Sequence, residues 1–280
     1  MVSRYASDEK GRVGAVSDVS ALVDAATGVA ALVFLYMTAW FFVALVARRN
    51  DLADIAWGLG FVAIALWLLI RPGAPLDARQ YLVSGLVAVW GTRLAYHVAT
   101  RNLRPGHGED ARYAAWRRSW GKWFVPRTYL QVFLLQGLFM WLIAAPVIIV
   151  GSIEGPALGW LDAVGVAVWL LGFYFEAAGD AQLAAFLRDP ANHGHVMDRG
   201  LWAWTRHPNY FGESAMWWGL AVVALSVPLG WIGLVGPATI TFLLVKVSGI
   251  PLVERKRAGR PEWEAYKART SAFVPRPPRR

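Results

Sequence analysis

The stretch FEAAGDAQLAAFLRDPANHGHVMDRGLWAWTRHPNYFGESAMW, residues 175–217, is a polar passage in an otherwise apolar chain. The segments on either side of it are hydrophobic enough to cross a bilayer. Because a charge beside hydrocarbon is energetically costly, this concentration of acids, histidines and arginines indicates a functional site. The stretch therefore predicts two membrane helices joined by a connection that carries the chemistry.

The composition of the chain is typical of a polytopic membrane protein, since 56% of its 280 residues are hydrophobic and 16 are Trp. Seven apolar windows are each long enough to cross about 30 Å of hydrocarbon as a helix. They cover residues 28–47, 54–71, 81–98, 128–150, 158–177, 209–228 and 230–249. The sequence thus predicts an all-α integral membrane protein with seven transmembrane helices. We expect a single membrane domain (1–280), with a flexible N-terminus (1–20), a seven-helix bundle (28–249) and a cytosolic tail (250–280).

Most of the 28 Lys and Arg residues fall in the connections on one side of these predicted helices. Because basic loops stay on the cytoplasmic side, this asymmetry predicts a cytoplasmic C-terminus and an N-terminus outside. We expect a multi-pass protein of the bacterial inner membrane that acts as a monomer.

The absence of cysteine excludes disulfides, thiolate catalysis and cysteine-ligated metals. The basic residues are scattered at helix ends without a nucleic-acid-binding motif, so nucleic acid is not expected as a partner. No metal site is predicted. Membrane lipid and a lipophilic small molecule are the expected partners.

Two predicted helices in the N-terminal half carry polar residues in unusual places. Asp54 lies near the start of the second helix, where a carboxylate either interacts favourably with the helix dipole or, if desolvated, keeps its proton. The third helix places Trp90, Arg93, Tyr96 and His97 on one face. An arginine inside a membrane helix indicates a polar cavity or a pairing with an acid such as Asp54.

The connection after the third helix is basic and aromatic. Tyr113, Trp116 and Trp120 alternate there with arginines, a pattern typical of a short amphipathic helix on the inner leaflet. Arg101 and Arg104 lie directly at the end of the third helix, where their guanidinium groups could bind phosphate.

The stretch 175–217 holds most of the candidate binding residues. Glu176 and Asp180 lie four residues apart on one helix face, a pair suited to ribose hydroxyls, amide hydrogens or a cation. Pro190 ends that helix, and Pro208 begins the next one. The N–H groups at the start of that next helix are suited to carbonyl or phosphate oxygens.

Three motifs identify a resemblance. They are TRHPNYFGE at residues 205–213, the carboxylate pair one helix earlier, and VERK at 253–256, which is followed by W, Y and FVP. Together they resemble the steroid 5-alpha-reductase-like membrane proteins, which include the 3-oxo-5-alpha-steroid 4-dehydrogenases. The D-x-x-W-G element at 54–58 is similar to the bacterial DUF1295 branch. The resemblance covers nearly the whole chain and is most specific in its C-terminal half.

This resemblance implies a seven-helix bundle that binds NADPH at its C-terminal helices and cytosolic loops, with the tail closing the cofactor site. A steroid would enter a lipid-open cavity of the N-terminal helices. Family members carry an aspartate, an arginine and an Asn-x-x-Gly-Glu run at positions that match Asp180, Arg188 and Asn209. The implied cofactor-binding residues are Arg101, Arg104, Glu176, Asp180, Arg188, His195, Arg206, His207, Asn209, Tyr210, Glu213, Trp217 and Arg255.

The implied reaction reduces the 4,5 double bond of a 3-oxo-4-ene steroid, or of a similar lipophilic enone, by hydride transfer to the β-carbon while a buried acid polarises the ketone. The family's acid falls near Asp54, and its catalytic tyrosine falls near Trp90. Since a tryptophan cannot serve as an acid, Tyr96 or His97 would replace that tyrosine, or Asp54 would act alone. The implied catalytic residues are Asp54, Arg93, Tyr96 and His97, and the implied substrate-binding residues are Trp57 and Trp90.

Two other classes of protein stay open at this point. Turns of the RHPNY type also occur in isoprenylcysteine carboxyl methyltransferases, which bind S-adenosylmethionine. That ligand carries no phosphate, so the many basic residues at the inner helix ends favour a dinucleotide. A transporter or lipid-binding protein is the third interpretation, but the sequence has no visible inverted repeat, and its polar residues crowd the inner face.

Overall fold

The structure, a computed structural model, describes residues 2–104, 106, 108–109 and 111–278, and the side chains of residues 14–104, 106, 108–109 and 113–278. Every regular element among these residues is helical. The all-α prediction is therefore confirmed for the described part of the chain.

The chain forms two compact units. The N-terminal unit comprises Met1–Leu158 and Ala224–Gly233, and the C-terminal unit comprises Gly159–Val223 and Leu234–Arg280. The sequence analysis predicts one membrane domain, and that grouping stays a prediction.

The N-terminal unit is built around three long helices, followed by shorter ones. The long helices are α1 (Val2–Ala47), α2 (Leu52–Ile70) and α3 (Ala78–Asn102). The shorter ones are α4 (Ala111–Trp120), α5 (Phe124–Arg127), α6 (Leu135–Ile143) and α7 (Ala145–Val150). A 3-10 turn precedes α5, and a π-helical segment, Thr128–Leu134, follows it. Helix α1 includes residues 2–20, and the predicted flexibility of the N-terminus stays a prediction.

The C-terminal unit contains a second set of helices. They are α8 (Trp160–Arg188), α9 (Leu201–Trp204), α10 (Pro208–Ala224), α11 (Val235–Phe242), α12 (Ile250–Arg257) and α13 (Pro261–Arg269). Helix α10 begins at Pro208 as predicted, and α8 ends two residues before Pro190. Both prolines lie where a missing backbone N–H removes no hydrogen bond from the interior of a helix.

Helices α2 and α3 approach each other closely because two glycines face each other. A Cβ added at Gly58 would lie 2.5 Å from the carbonyl oxygen of Gly91. At the start of α3, the Asp77 side chain caps the helix by accepting the N–H of Gln80 at 2.8 Å. The buried Arg79 donates to the carbonyl oxygen of Pro156 at 3.0 Å. This arginine therefore links the start of α3 to the connection between α7 and α8.

Helices α8 and α10 pack in the same way at two levels. A Cβ at Gly172 would lie 2.6 Å from the oxygen of Gly212, and a Cβ at Gly165 would lie 2.6 Å from the oxygen of Gly219. Each helix repeats its glycine every seven residues, that is, every two turns on the same face. This contact fixes how the polar ends of α8 and α10 meet.

Among the residues that the structure describes, four helical stretches are long and apolar enough to cross a membrane, namely Gly14–Ala47, Leu52–Ile70, Trp160–Arg188 and Gly230–Arg257. The predicted window at 128–150 is divided among a π-helical segment, α6 and α7. The window at 209–228 corresponds to α10, which has 17 residues, and the window at 81–98 corresponds to α3, which carries polar residues along its length. The seven-span count and the orientation of the termini stay predictions.

Candidate functional site

The C-terminal unit brings together a carboxylate and an amide from its two glycine-packed helices. Asn209 donates its side-chain N–H to Asp180 at 3.2 Å, and Asp180 is only 8% exposed. The approach is possible because Gly179 leaves room for Pro208, whose Cγ would lie 3.1 Å from an added Cβ. Two residues that the sequence assigns to one ligand are thus neighbours.

The other acids and the tryptophan of this predicted site lie on the same two helices. Glu176 is buried against Gly212, where an added Cβ would lie 2.9 Å from the Glu176 Cβ. Glu213 is half-buried one turn before the fully buried Trp217. The α8–α10 seam therefore carries acidic groups in surroundings that exclude much of the water.

Arg206 is engaged by protein groups on the C-terminal tail. Its Nη2 lies 2.7 Å from Glu254, and its Nη1 donates to the carbonyl oxygens of Lys267, at 3.1 Å, and Thr270. It is 6% exposed. The sequence analysis expects Arg206 to contact a cofactor, whereas this geometry favours a role in holding the tail in place.

The tail is attached to the same turn by its backbone. Thr205 donates its hydroxyl to the carbonyl oxygen of Phe273 at 2.9 Å. The N–H of Arg276 donates to the carbonyl oxygen of Trp204, also at 2.9 Å. The Tyr266 hydroxyl donates to the carbonyl oxygen of Trp202. The segment 202–207 is therefore held by the last helix and by the residues after it.

His207 is buried beside this network. Its ring stacks on Tyr210 with centroids 5.3 Å apart, and its Nε2 lies 3.3 Å from Glu254. Burial lowers the pKa of His207, although the hydrogen bond to Glu254 acts in the opposite direction, and Arg206 and Arg257 add to the lowering. His207 and Arg206 thus both contact Glu254 at the start of α10, and their binding to a cofactor stays a prediction.

Acidification is expected to destabilise the C-terminal unit through His207. The unfolded chain takes up this proton near the ordinary pKa of about 6.5, whereas the folded chain takes it up only at lower pH. Stability is therefore full above that value and falls as the pH drops below it. Thermal unfolding in detergent between pH 8 and pH 5 should show this slope in the natural protein and a flatter one in His207→Gln. An unchanged slope in His207→Gln, equal to that of the exposed-site control His193→Gln, would exclude His207 as the cause.

The predicted phosphate-binding arginines are mostly at the surface. Arg188 and Arg255 are exposed in the C-terminal unit, as is His195. Arg101 and Arg104 are exposed at the end of α3 in the N-terminal unit. Exposed guanidinium groups remain able to bind an anion, unlike that of Arg206.

The N-terminal unit contains an acid–phenol pair that the sequence analysis does not predict. The Tyr113 hydroxyl donates to Asp54 at 3.1 Å, and Tyr113 is 4% exposed. Helix α4 is anchored over the start of α2 by Glu109, which accepts the N–H of Asn50 at 2.9 Å and pairs with Arg117 at 3.0 Å. Helix α4 therefore places the buried Tyr113 next to Asp54.

The other candidate catalytic and substrate-binding residues of the N-terminal unit differ in how exposed they are. Tyr96 is 72% exposed, while Arg93 and His97 are half-buried on α3. Trp90 is 2% exposed, and its ring lies 5.4 Å from Phe61. Trp57 is half-buried, with its ring 5.3 Å from the same Phe61. Trp90 is thus part of the core, and Tyr113 is the phenol that contacts Asp54.

Comparisons with known proteins agree with the motifs. The family described as "Protein of unknown function (DUF1295)" matches residues 40–270. An uncharacterized protein of Schizosaccharomyces pombe is 24% identical over 262 residues, which cover 82% of this chain and 73% of the yeast protein. Steroid 5-alpha-reductase DET2 of Arabidopsis thaliana is 33% identical over 82 residues, or 29% of each chain. No solved structure gives a significant match.

Proposed function

The chain belongs to the DUF1295 family, which is steroid 5-alpha-reductase-like, and from this premise we propose that it is an NADPH-dependent oxidoreductase that reduces the conjugated double bond of a lipophilic enone. The observation that carries the proposal is the contact between Asp180 and Asn209. These residues lie 29 positions apart in the sequence, and the resemblance assigns both to the cofactor.

The donor set of the C-terminal unit fits a dinucleotide. Asp180 and Asn209 together offer a carboxylate and an amide, which suit the hydroxyl and amide groups of a nucleotide. Arg188 and Arg255 are exposed cations suited to phosphates. When bound, NADPH would supply the hydride. The protein's residues would hold and orient it and keep water away.

The acid–phenol pair of the N-terminal unit would act on the ketone. As the enone is reduced, negative charge develops on its ketone oxygen, and a fixed donor at that oxygen lowers the barrier by about 3–4 kcal/mol. The Tyr113 hydroxyl, held by Asp54 at 3.1 Å, is such a donor. Because a phenol has one proton, Tyr113 would donate it to the developing enolate oxygen only when Asp54 is itself protonated and donates to the Tyr113 oxygen. The α-carbon would then take a proton from water as the enol loses its own, which gives the saturated ketone, and Asp54 would regain its proton from water. Tyr96 and His97 are not needed for this role.

The direct experiment incubates detergent-purified protein with NADPH and a 3-oxo-4-ene steroid, and follows the loss of absorbance at the reduced nicotinamide band. The proposal expects loss of absorbance that depends on the steroid, with the saturated ketone as product. Binding of S-adenosylmethionine without binding of NADPH would overturn it in favour of a methyltransferase.

Asn209→Ala is expected to weaken NADPH binding by about 10-fold or more, because a hydrogen bond to a charged group is worth about 1.5–3 kcal/mol. The dissociation constant can be measured from the quenching of tryptophan fluorescence in detergent. Gln131→Ala is a suitable control, because Gln131 is exposed and is not among the implied cofactor-binding residues. Equal affinity in Asn209→Ala and the control would remove Asn209 from the cofactor site.

A further inference from the structure

The segment 111–127, which contains α4 and α5, is basic and aromatic and holds no acidic residue. Its cations are Arg112, Arg117, Arg118, Lys122 and Arg127, and its aromatic residues are Tyr113, Trp116, Trp120, Trp123 and Phe124. Most of the side chains from residue 116 to residue 127 are exposed, and we call these exposed side chains the α4–α5 surface. The sequence predicts an amphipathic helix in this segment, and the structure shows which of its side chains point outward.

Helix α4 lies at the ends of two helices that are long and apolar enough to cross a membrane. The Tyr113 hydroxyl donates to Asp54, the third residue of α2, at 3.1 Å. Arg117 donates to the carbonyl oxygen of Arg48, the residue that follows the end of α1, at 3.4 Å. Both α1 and α2 contain a candidate membrane span. Since a helix that crosses a bilayer ends among the lipid headgroups, α4 lies at the level where headgroups would contact it.

The basic residues of the segment differ in whether the protein already uses their charge. Arg117 pairs with Glu109 at 3.0 Å, and its guanidinium group lies 4.2 Å from the centroid of the Phe124 ring. Arg118, Lys122 and Arg127 are exposed, and none of the three forms an ion pair within the described part of the chain. Three positive charges on this surface can therefore bind an anion from outside the protein.

Large apolar side chains are exposed beside these three cations. Trp123 is 59% exposed, Val125 43% and Trp116 38%. The rings of Trp116 and Trp120 stack with centroids 5.1 Å apart, and the Arg127 guanidinium group lies 5.9 Å from the Trp120 centroid. Tryptophan is enriched where a membrane meets water, and basic residues interleaved with it favour anionic lipid. A soluble anion would contact only the cations, whereas a phospholipid offers a phosphate to the cations and hydrocarbon to the indole rings.

We propose that the α4–α5 surface binds the headgroups of anionic phospholipids. Arg118, Lys122 and Arg127 contact the headgroup phosphates, and Trp116 and Trp123 lie beside the first methylene groups of the acyl chains. The proposal does not depend on the enzymatic function proposed above. It also goes beyond the general bias of basic loops toward one side of a membrane, because it requires a preference for anionic over zwitterionic lipid at three named cations.

The test measures how brominated lipids quench the tryptophan fluorescence of the protein in a non-ionic detergent. Brominated phosphatidylglycerol is the anionic probe, and brominated phosphatidylcholine is the zwitterionic one. We expect the natural protein to reach half-quenching at a lower mole fraction of phosphatidylglycerol than of phosphatidylcholine. The double variant Arg118→Gln, Lys122→Gln should weaken phosphatidylglycerol binding by about fivefold for each charge removed. Its half-quenching by phosphatidylcholine should stay unchanged.

Two further measurements locate and characterise the binding. Trp123→Phe removes one exposed indole, so it should reduce the extent of quenching by phosphatidylglycerol without shifting the mole fraction at half-quenching. Raising the salt concentration from about 0.1 M to about 1 M should remove most of the preference for phosphatidylglycerol, because the range of interactions between exposed charges falls from about 10 Å to about 3 Å.

The matched control is the double variant Lys256→Gln, Lys267→Gln, which removes two exposed cations that lie outside the α4–α5 surface. It should keep the full preference for phosphatidylglycerol. If it loses as much preference as Arg118→Gln, Lys122→Gln does, the net charge of the protein is the cause, and the proposal fails. Equal half-quenching by the two lipids in the natural protein, or unchanged quenching in Trp123→Phe, would also overturn it. Displacement of phosphatidylglycerol by free glycerol 3-phosphate would assign the three cations to a soluble phosphate instead of a lipid.

Discussion

Tyr113→Phe is expected to lower enone turnover by about 100- to 1,000-fold, the usual cost of removing one donor from an oxyanion site. The substitution removes only the hydroxyl that lies 3.1 Å from Asp54. The affinity for NADPH should stay within twofold, because the proposed function assigns Tyr113 to the ketone of the substrate and the Asp180–Asn209 pair to the cofactor. The measurement is kcat from the absorbance of the reduced nicotinamide, together with the dissociation constant of NADPH.

Asp54→Asn and Tyr96→Phe complete this experiment. Asp54→Asn should lower turnover at least as far, because an amide cannot accept and return a proton as a carboxyl group can. Tyr96→Phe should retain nearly all activity, since Tyr96 is 72% exposed. Full activity in Tyr113→Phe combined with a large loss in Tyr96→Phe would reverse the assignment. A thermal unfolding curve for each variant separates lost chemistry from lost folding, because one buried hydrogen bond contributes only about 1 kcal/mol.

Patterns that act over short distances in the sequence could be predicted. The apolar composition predicts the helical fold, and Pro190 and Pro208 predict where α8 ends and α10 begins. Asp180 and Asn209 are found through the resemblance. The contact between these two residues depends on the packing of α8 against α10, which the hydrophobic pattern alone does not reveal.

Contacts between residues distant in the sequence explain what the sequence analysis missed. Tyr113 reaches Asp54 across 59 positions, and a tyrosine in an amphipathic helix has no local signal that distinguishes it from a lipid-facing aromatic. Arg206 lies beside a helix start, as a phosphate ligand would, and the sequence does not reveal that Glu254, 48 positions later, pairs with it. The contacts of Tyr113 and Arg206 arise from the tertiary structure, so local sequence patterns do not predict them.

The repeated glycines are a signal that was present in the sequence and that predicts close packing. Gly165, Gly172 and Gly179 recur every seven residues on α8, and Gly212 and Gly219 recur on α10. Small residues at such spacing let the backbones of membrane helices touch. The site follows from this packing, because the same approach brings Asp180 to Asn209.

Gly172→Leu is expected to prevent the C-terminal unit from folding correctly. Even the first side-chain atom would lie 2.6 Å from the carbonyl oxygen of Gly212 and 2.7 Å from the N–H nitrogen of Met216, and neither backbone atom can move without displacing a helix. Gly172→Ala adds only that one atom, and overpacking of this kind costs about 1–3 kcal/mol, which exceeds the roughly 1 kcal/mol that alanine gains in helix propensity. Thermal unfolding and NADPH affinity should therefore decline in the order natural protein, Gly172→Ala, Gly172→Leu.

Gly85→Ala and Gly85→Leu are the matched controls, because Gly85 lies within helix α3 and an added Cβ there meets no atom within 4 Å. Both should leave the unfolding temperature unchanged or raise it, since either residue favours a helix more than glycine does. If Gly172→Leu unfolds at the same temperature as Gly85→Leu and binds NADPH normally, α8 and α10 are not in backbone contact. In that case the position of Asp180 beside Asn209 needs another cause, because the close approach of the two helices is what brings the carboxylate and the amide together.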